Sequence, residues 1–183
     1  MIFFCGNDDV FPFSKGGGIA RRLVGEGKRV HLAGRNVAAL AEELGASASF
    51  SVCDVTVPGN IEKAAQEAGE IEGLAYCVGT IVLKRLKDVK REDLLKDLMI
   101  HSVGAALAVQ ASSNALKASN GSVVLFSTVA AQTGMVNHTS VAMAKGAVES
   151  LTRTLAAELS PSIRVNCIAP SLVITRSCFH RQI

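Results

Sequence analysis

Two alternating spacings constrain this chain more than any other feature. Short apolar runs at 29–33 (RVHLA), 49–52, 73–78, 122–126 (SVVLF) and 164–168 (RVNCI) are separated by stretches in which apolar residues recur every three or four positions. Strands buried on both faces read as continuous apolar runs, and the helices that cover them read as amphipathic. The alternation therefore predicts a parallel sheet with helices on both faces. With 183 residues, 49% of them hydrophobic and 19% charged, the chain suits one domain with a substantial core and not a disordered segment.

The elements follow from local chemistry. Asn36 is the expected N-cap of a helix carrying Val37, Leu40, Ala41 and Leu44, and Gly45 is its expected stop. A short helix is expected over 61–68, after Pro58 and Gly59. A long helical stretch from about 91 to 117 carries Leu94, Leu95, Leu98, Leu107 and Leu116, and a second runs over 138–159. Asn120-Gly121 reads as a turn, and Pro170 stops the last strand. The net charge of +3 is too small to point to nucleic acid. Cys5, Cys53, Cys77, Cys167 and Cys178 show no paired metal-ligand spacing, so no metal is expected. Cys53, Cys77 and Cys167 lie in apolar runs and read as small buried residues of a reducing cytoplasm. No apolar run reads as a membrane span, and MIFFCGNDD is too short and acidic for a secretory signal.

Several residues are candidates for a nucleotide site. Gly16, Gly17, Gly18 and Ile19 open a helix. Glycines there allow close approach of a pyrophosphate, and a helix N-terminus offers N–H donors and partial positive charge. Arg35 follows the 29–33 strand, where a carboxylate would bond ribose hydroxyls; a guanidinium instead suits a 2′-phosphate. Asp54-Val55 follows the next strand, with a turn-forming role as the alternative for the aspartate.

The segment STVAAQTGMVNHTSVAMAKGAVESL, with LTRTLAAELSP and IRVNCIAPS beyond it, resembles the catalytic region of the short-chain dehydrogenase/reductase family. In that family Ser, twelve residues, Tyr, three residues and Lys form the reaction centre. The resemblance spans roughly residues 16–175. It implies a Rossmann-type α/β fold: a doubly wound parallel sheet of order 3-2-1-4-5-6 in three αβα layers. It also implies NADP, in preference to NAD, and hydride transfer between nicotinamide and a carbonyl or secondary alcohol. Lys145 takes the position of the lysine that holds the nicotinamide ribose, and Thr128 that of the serine that stabilises the oxyanion. Val141 stands in the tyrosine's place, and the only tyrosine is Tyr76. Loss of a general acid typically costs about 10²–10⁴-fold in rate. His101 falls where the family has an asparagine that anchors a proton-relay water. His138, at i, i+3 and i+7 with Val141 and Lys145, is a second possible proton source. Gly79 keeps the last position of the family's Asn-Asn-Ala-Gly, here Tyr76-Cys77-Val78-Gly79. Pro170 keeps the first of its Pro-Gly, and Thr175 fits a threonine that bonds the carboxamide. The family's TGxxxGxG motif fits in two ways. Either Gly16, Ser14 and Val10 occupy the glycine positions, or a strand at 2–5 ends in Gly6 and the loop is longer than usual.

The resemblance further implies a single nucleotide-binding domain over 1–183, with atypical ends at 1–15 and 176–183 and without the usual C-terminal strand and lid. Ala105, Ala106 and Ala108 on one long helix, with Ala142, Ala144, Ala147 and Ala156 on the other, suggest a homodimer through these helices; packing inside the domain is the alternative. A cytoplasmic enzyme acting on a small-molecule substrate is expected, with neither nucleic acid nor membrane as partner. The competing expectation is a catalytically inactive nucleotide-binding or dimerisation module of the same fold.

Overall fold

The computed structural model describes residues 1–6 and 15–171. Six parallel strands form one sheet: β1 (Ile2–Gly6), β2 (Val30–Gly34), β3 (Ala48–Val52), β4 (Gly73–Cys77), β5 (Ser122–Phe126) and β6 (Arg164–Ile168). Their order is β3-β2-β1-β4-β5-β6, as expected. Of the two placements of the first strand, the one ending at Gly6 holds: β1 pairs with β2 on one side and β4 on the other. The chain winds outward from β1 to β3, then returns to β4 and winds the other way. That reversal opens a crevice at the carboxyl ends of β1 and β4.

The helices are α1 (Lys15–Gly25), α2 (Ala38–Leu44), α3 (Asn60–Ala68), α4 (Arg91–Leu98), α5 (Gly104–Ala118), the single turn α6 (Ala130–Thr133) and α7 (Thr139–Glu158). The core divides between the two faces of the sheet. On one side Val30, Leu32 and Ala75 pack with Ala20, Val37 and Ala41 of the α1–α2 layer. On the other, Leu74, Val123, Leu125 and Val165 pack with Ile61, Ala108, Leu116 and Val148 of the α3, α5 and α7 layer. Strand residues of alternating parity thus feed opposite layers. On the α1 side, a groove over β4–β6 is lined by Val124, Phe126 and Ile168, and Ile168 stays 49% exposed.

Several local expectations need correcting. Asn36 does not cap α2; Val37 is the N-cap and the helix starts at Ala38. Gly45 closes it at φ 64°, a left-handed angle that suits glycine. The second long helix begins one residue later than expected, with His138 as its cap. The first is not one regular helix, because a π turn over Met99–Val103 separates α4 from α5. The combined 28-residue stretch Arg91–Ala118 meets the length and composition of a membrane span, contrary to the sequence reading. Its buried residues, including Ala105, Ala108, Val109 and Leu116, lie in the domain core, as in a core helix. Of the alanine stripes, Ala105, Ala108 and Ala144 are buried within this domain, while Ala106, Ala142, Ala147 and Ala156 stay partly exposed. Leu95, Met99, Val103 and Met143 are the large apolar residues these helices leave exposed.

Leu125, at 0% exposure in the middle of β5, tests the core directly. Leu125→Ala should lower unfolding free energy by about 2–5 kcal/mol, measured by urea denaturation, because the rigid layers around it close only partly on the cavity.

Candidate functional site

A cleft of ≈ 270 Å³ opens at the carboxyl ends of β4, β5 and β6. It brings together Gly16, Gly79, His101, Thr128, His138, Val141, Lys145 and Pro170, which lie far apart in the sequence. The strand ends supply the floor, α1 one wall and α7 another.

Lys145 enters from the second turn of α7 and is 9% exposed. A buried ammonium needs acceptors. Its Nζ donates to the Phe126 carbonyl at the tip of β5, at 2.6 Å. The next residue ties the same two elements together. The Ser127 hydroxyl sits 3.2 Å from the Lys145 carbonyl and donates to Glu149 Oε1 at 2.7 Å. Thr128 Oγ1 accepts the Ala130 N–H at 3.3 Å, so its own proton remains available to donate. Val141 lines the same cleft at 5% exposure and offers no proton.

Gly79 is required by close approach. A Cβ there would stand 2.8 Å from His101 Cε1 and 3.8 Å from Lys145 Nζ. Gly16 likewise faces the end of β4, where a Cβ would lie 3.3 Å from that of Cys77. Gly17 is buried in the first turns of α1, and Ile19 packs into the α1–α2 layer. The loop between β1 and α1, where a phosphate would be gripped, lies outside the described residues, as does Thr175.

The two histidines differ. His101 is buried, and its Nε2 lies 3.2 Å from the Thr80 N–H and 3.1 Å from the Thr80 carbonyl. Its Nδ1 is buried with no hydrogen-bond partner among the described residues. Burial, reinforced by the Lys145 charge and opposed by Asp97 and the Thr80 backbone, pushes its pKa down to about 4. The ring is therefore neutral near pH 7. His138 lines the cleft with its Nδ1 2.7 Å from the Val136 carbonyl. A carbonyl only accepts, so Nδ1 carries a proton, and Nε2 can donate only in the imidazolium.

Arg35, Asp54 and Val55 do not join the cleft lining. Arg35 is exposed at the end of β2, and Asp54 stands near it after β3. Asp54 Oδ1 accepts the Thr56 N–H at 2.9 Å and the Thr56 hydroxyl at 2.7 Å, an Asx-type turn. Those two bonds, with the Arg35 charge, hold its carboxyl below the usual range. Val55 packs against the larger core cluster.

Sequence reasoning missed a buried carboxylate behind the cleft. Asp97 of α4 accepts from the hydroxyls of Thr80, at 2.8 Å, and Ser140. It thereby joins the loop after β4, the long helix and the start of α7. The available signal was a lone acid among Leu94, Leu95 and Leu98, one turn before His101.

The depressed His101 pKa has a definite sign. The unfolded chain binds a proton below about pH 6.5, whereas the folded chain resists until about pH 4. Stability should therefore fall as pH drops through this window, by roughly 3 kcal/mol if the full difference is expressed. His101→Asn should flatten that part of a urea-denaturation pH profile. An unchanged slope would contradict the assignment.

Comparison with known proteins places these features. A family profile described as Enoyl-(Acyl carrier protein) reductase matches residues 14–181. A tropinone reductase homolog of Arabidopsis thaliana is 35% identical, over 86% of this chain and 66% of its own length. The short-chain reductase protein NovJ of Streptomyces niveus is 32% identical, over 87% and 65%. The chain thus spans 66% or less of the length of these curated relatives. Among solved structures, a short chain dehydrogenase/reductase family protein aligns with TM-score 0.89 and 24% identity, over 99% of this chain and 78% of that one. An alcohol dehydrogenase from Thermococcus sibiricus, complexed with 5-hydroxy-NADP, aligns with TM-score 0.85 and 20% identity, over 96% and 78%. These structural likenesses establish the fold, and the profile match carries the lineage: the chain belongs to the short-chain dehydrogenase/reductase family.

Proposed function

We propose that residues 1–183 form a single nucleotide-binding domain working as an NADP-dependent oxidoreductase on a carbonyl or secondary alcohol. Its proton transfer is rerouted because Val141 replaces the family's tyrosine. The observation that carries this reading is the Lys145 ammonium, held at the Phe126 carbonyl inside the cleft, with Thr128 on the same cleft.

The cleft suits the nicotinamide half of the cofactor. Gly79 presents no side chain at the strand end, so the His101 ring and the Lys145 amine both stand close beside its backbone. In this reading Lys145 holds the ribose beside the ring, and Gly16, Gly17 and Gly18 approach the pyrophosphate with backbone N–H groups. Arg35 and Asp54, at neighbouring strand ends, flank the adenosine, and Arg35 favours a 2′-phosphate. Val55, Pro170 and Thr175 complete the contacts with the cofactor. A nicotinamide bound there supplies or accepts the hydride. Thr128 donates to the substrate oxygen as charge develops on it. The remaining proton comes from solvent or through His101 and His138, since Val141 has none to give.

Two names among the relatives agree with this chemistry: one is a tropinone reductase homolog, and one neighbour is an alcohol dehydrogenase with 5-hydroxy-NADP bound. The exposed Leu95, Met99, Val103 and Met143 support a homodimer through the long helices of this proposed cytoplasmic enzyme. One observation favours the alternative, an inactive nucleotide-binding or dimerisation module: an alkyl side chain is buried where the proton donor would stand.

NADPH titration by fluorescence separates these readings. Lys145→Ala and Arg35→Asp should each weaken binding about 10–100-fold, the worth of one charge-assisted hydrogen bond. Unchanged affinity in either removes that residue's role. Val141→Tyr should raise carbonyl reductase turnover by about 10²-fold. NADPH binding without turnover in both chains, across a carbonyl panel, would decide for the module.

A further inference from the structure

The chain's only tyrosine is absent from the reaction centre, yet it reaches the cleft by another route. Within the π turn the Gly104 N–H bonds the Met99 carbonyl, five residues back. A regular helix would have paired it with the carbonyl of Ile100, four back. The carbonyl so passed over is taken by the Tyr76 hydroxyl, which donates to it at 2.6 Å in a fully buried contact. An unpaired buried carbonyl is costly, so this bond supports the widened turn. Gly104 belongs to the same lock. A Cβ there would stand 3.2 Å from the Tyr76 Cζ and only 2.1 Å from its hydroxyl, an approach no side chain tolerates.

The residue after Ile100 is His101. Its ring leaves the π turn, meets Thr80 through Nε2, and occupies the space that Gly79 leaves beside Lys145. Its Nδ1 is buried with no hydrogen-bond partner among the described residues. A π turn inserts one residue into the helix and so rotates everything before it relative to everything after it by about 100°. The orientation of His101 therefore depends on the turn being held.

We propose that Tyr76 is a positioning residue: by bonding the Ile100 carbonyl, in the space Gly104 provides, it fixes the π turn that aims His101 into the nucleotide cleft. The idea rests on the oxidoreductase reading only in taking that cleft to be the nucleotide's. Asp97, bonded to Thr80 and Ser140, steadies the loop against which the His101 ring rests. Lys145 and Asp97 are the charged groups that act on the imidazole.

The test uses the full chain without nucleotide and follows the His101 imidazole by NMR during a pH titration. Native protein should titrate near pH 4. In Tyr76→Phe the midpoint should rise by about one pH unit as the ring loses its fixed, desolvated place. An unmoved resonance and midpoint would overturn the proposal. Thermal melting of a double-mutant cycle supplies the second arm. Gly104→Ala alone should lower Tm sharply, and adding Tyr76→Phe should restore most of that loss, because the new methyl fills the space the hydroxyl leaves. Additive losses would show that Tyr76 and Gly104 do not act together and would overturn the lock. Should Tyr76→Phe alone not fold, the double variant carries the titration. Failure to bind NADPH would sink the cofactor reading and leave these results untouched.

Discussion

One buried cation organises this site. Taking an ammonium out of water costs several kcal/mol unless acceptors replace the lost hydration. The fold meets that demand at the Lys145 amine with the carbonyl of Phe126, the last residue of β5. The same placement ties α7 to β5, helped by Ser127, which bridges the Lys145 backbone and Glu149. It also sets the electrostatics of the cleft, because the amine adds to burial in suppressing protonation of His101. The glycine at 79 then follows as a necessity, since both the imidazole and the amine crowd the place where its side chain would be.

Proton supply becomes the chemical problem. In the proposed reading Val141 presents methyl groups in the place of the family's acid, while His101 is neutral at ordinary pH and His138 has its Nδ1 proton engaged by the Val136 carbonyl. What survives is a hydroxyl at Thr128 and a fixed positive charge. This combination can bind and polarise an oxygen better than it can protonate one, which is why binding and turnover must be measured separately.

The fold was largely legible from the alternation of spacings, and the intervals within one segment singled out Thr128, Val141 and Lys145, which line a common cleft. The long helix was not. A periodicity argument assumes an unbroken 3.6-residue phase, and the π turn at Met99–Val103 breaks it. Hence Leu95, expected on the buried stripe, is exposed, while Asp97 and His101 lie inside. Asn36 failed as a cap because Val37 and the following turn start the helix without a side-chain bond. Tyr76 was conspicuous only by being in the wrong place. Its role depends on a carbonyl freed by a backbone irregularity that no residue pattern announces.

The most direct test of the buried amine is its accessibility. Lysine labelling with an amine-reactive ester, read residue by residue by mass spectrometry, should modify exposed Lys63 quickly and Lys145 slowly. Saturating NADPH should slow Lys145 further and leave Lys63 unchanged. If Lys145 reacts as fast as Lys63 and NADPH has no effect on it, the amine does not sit in the cleft beside the nucleotide and the account fails.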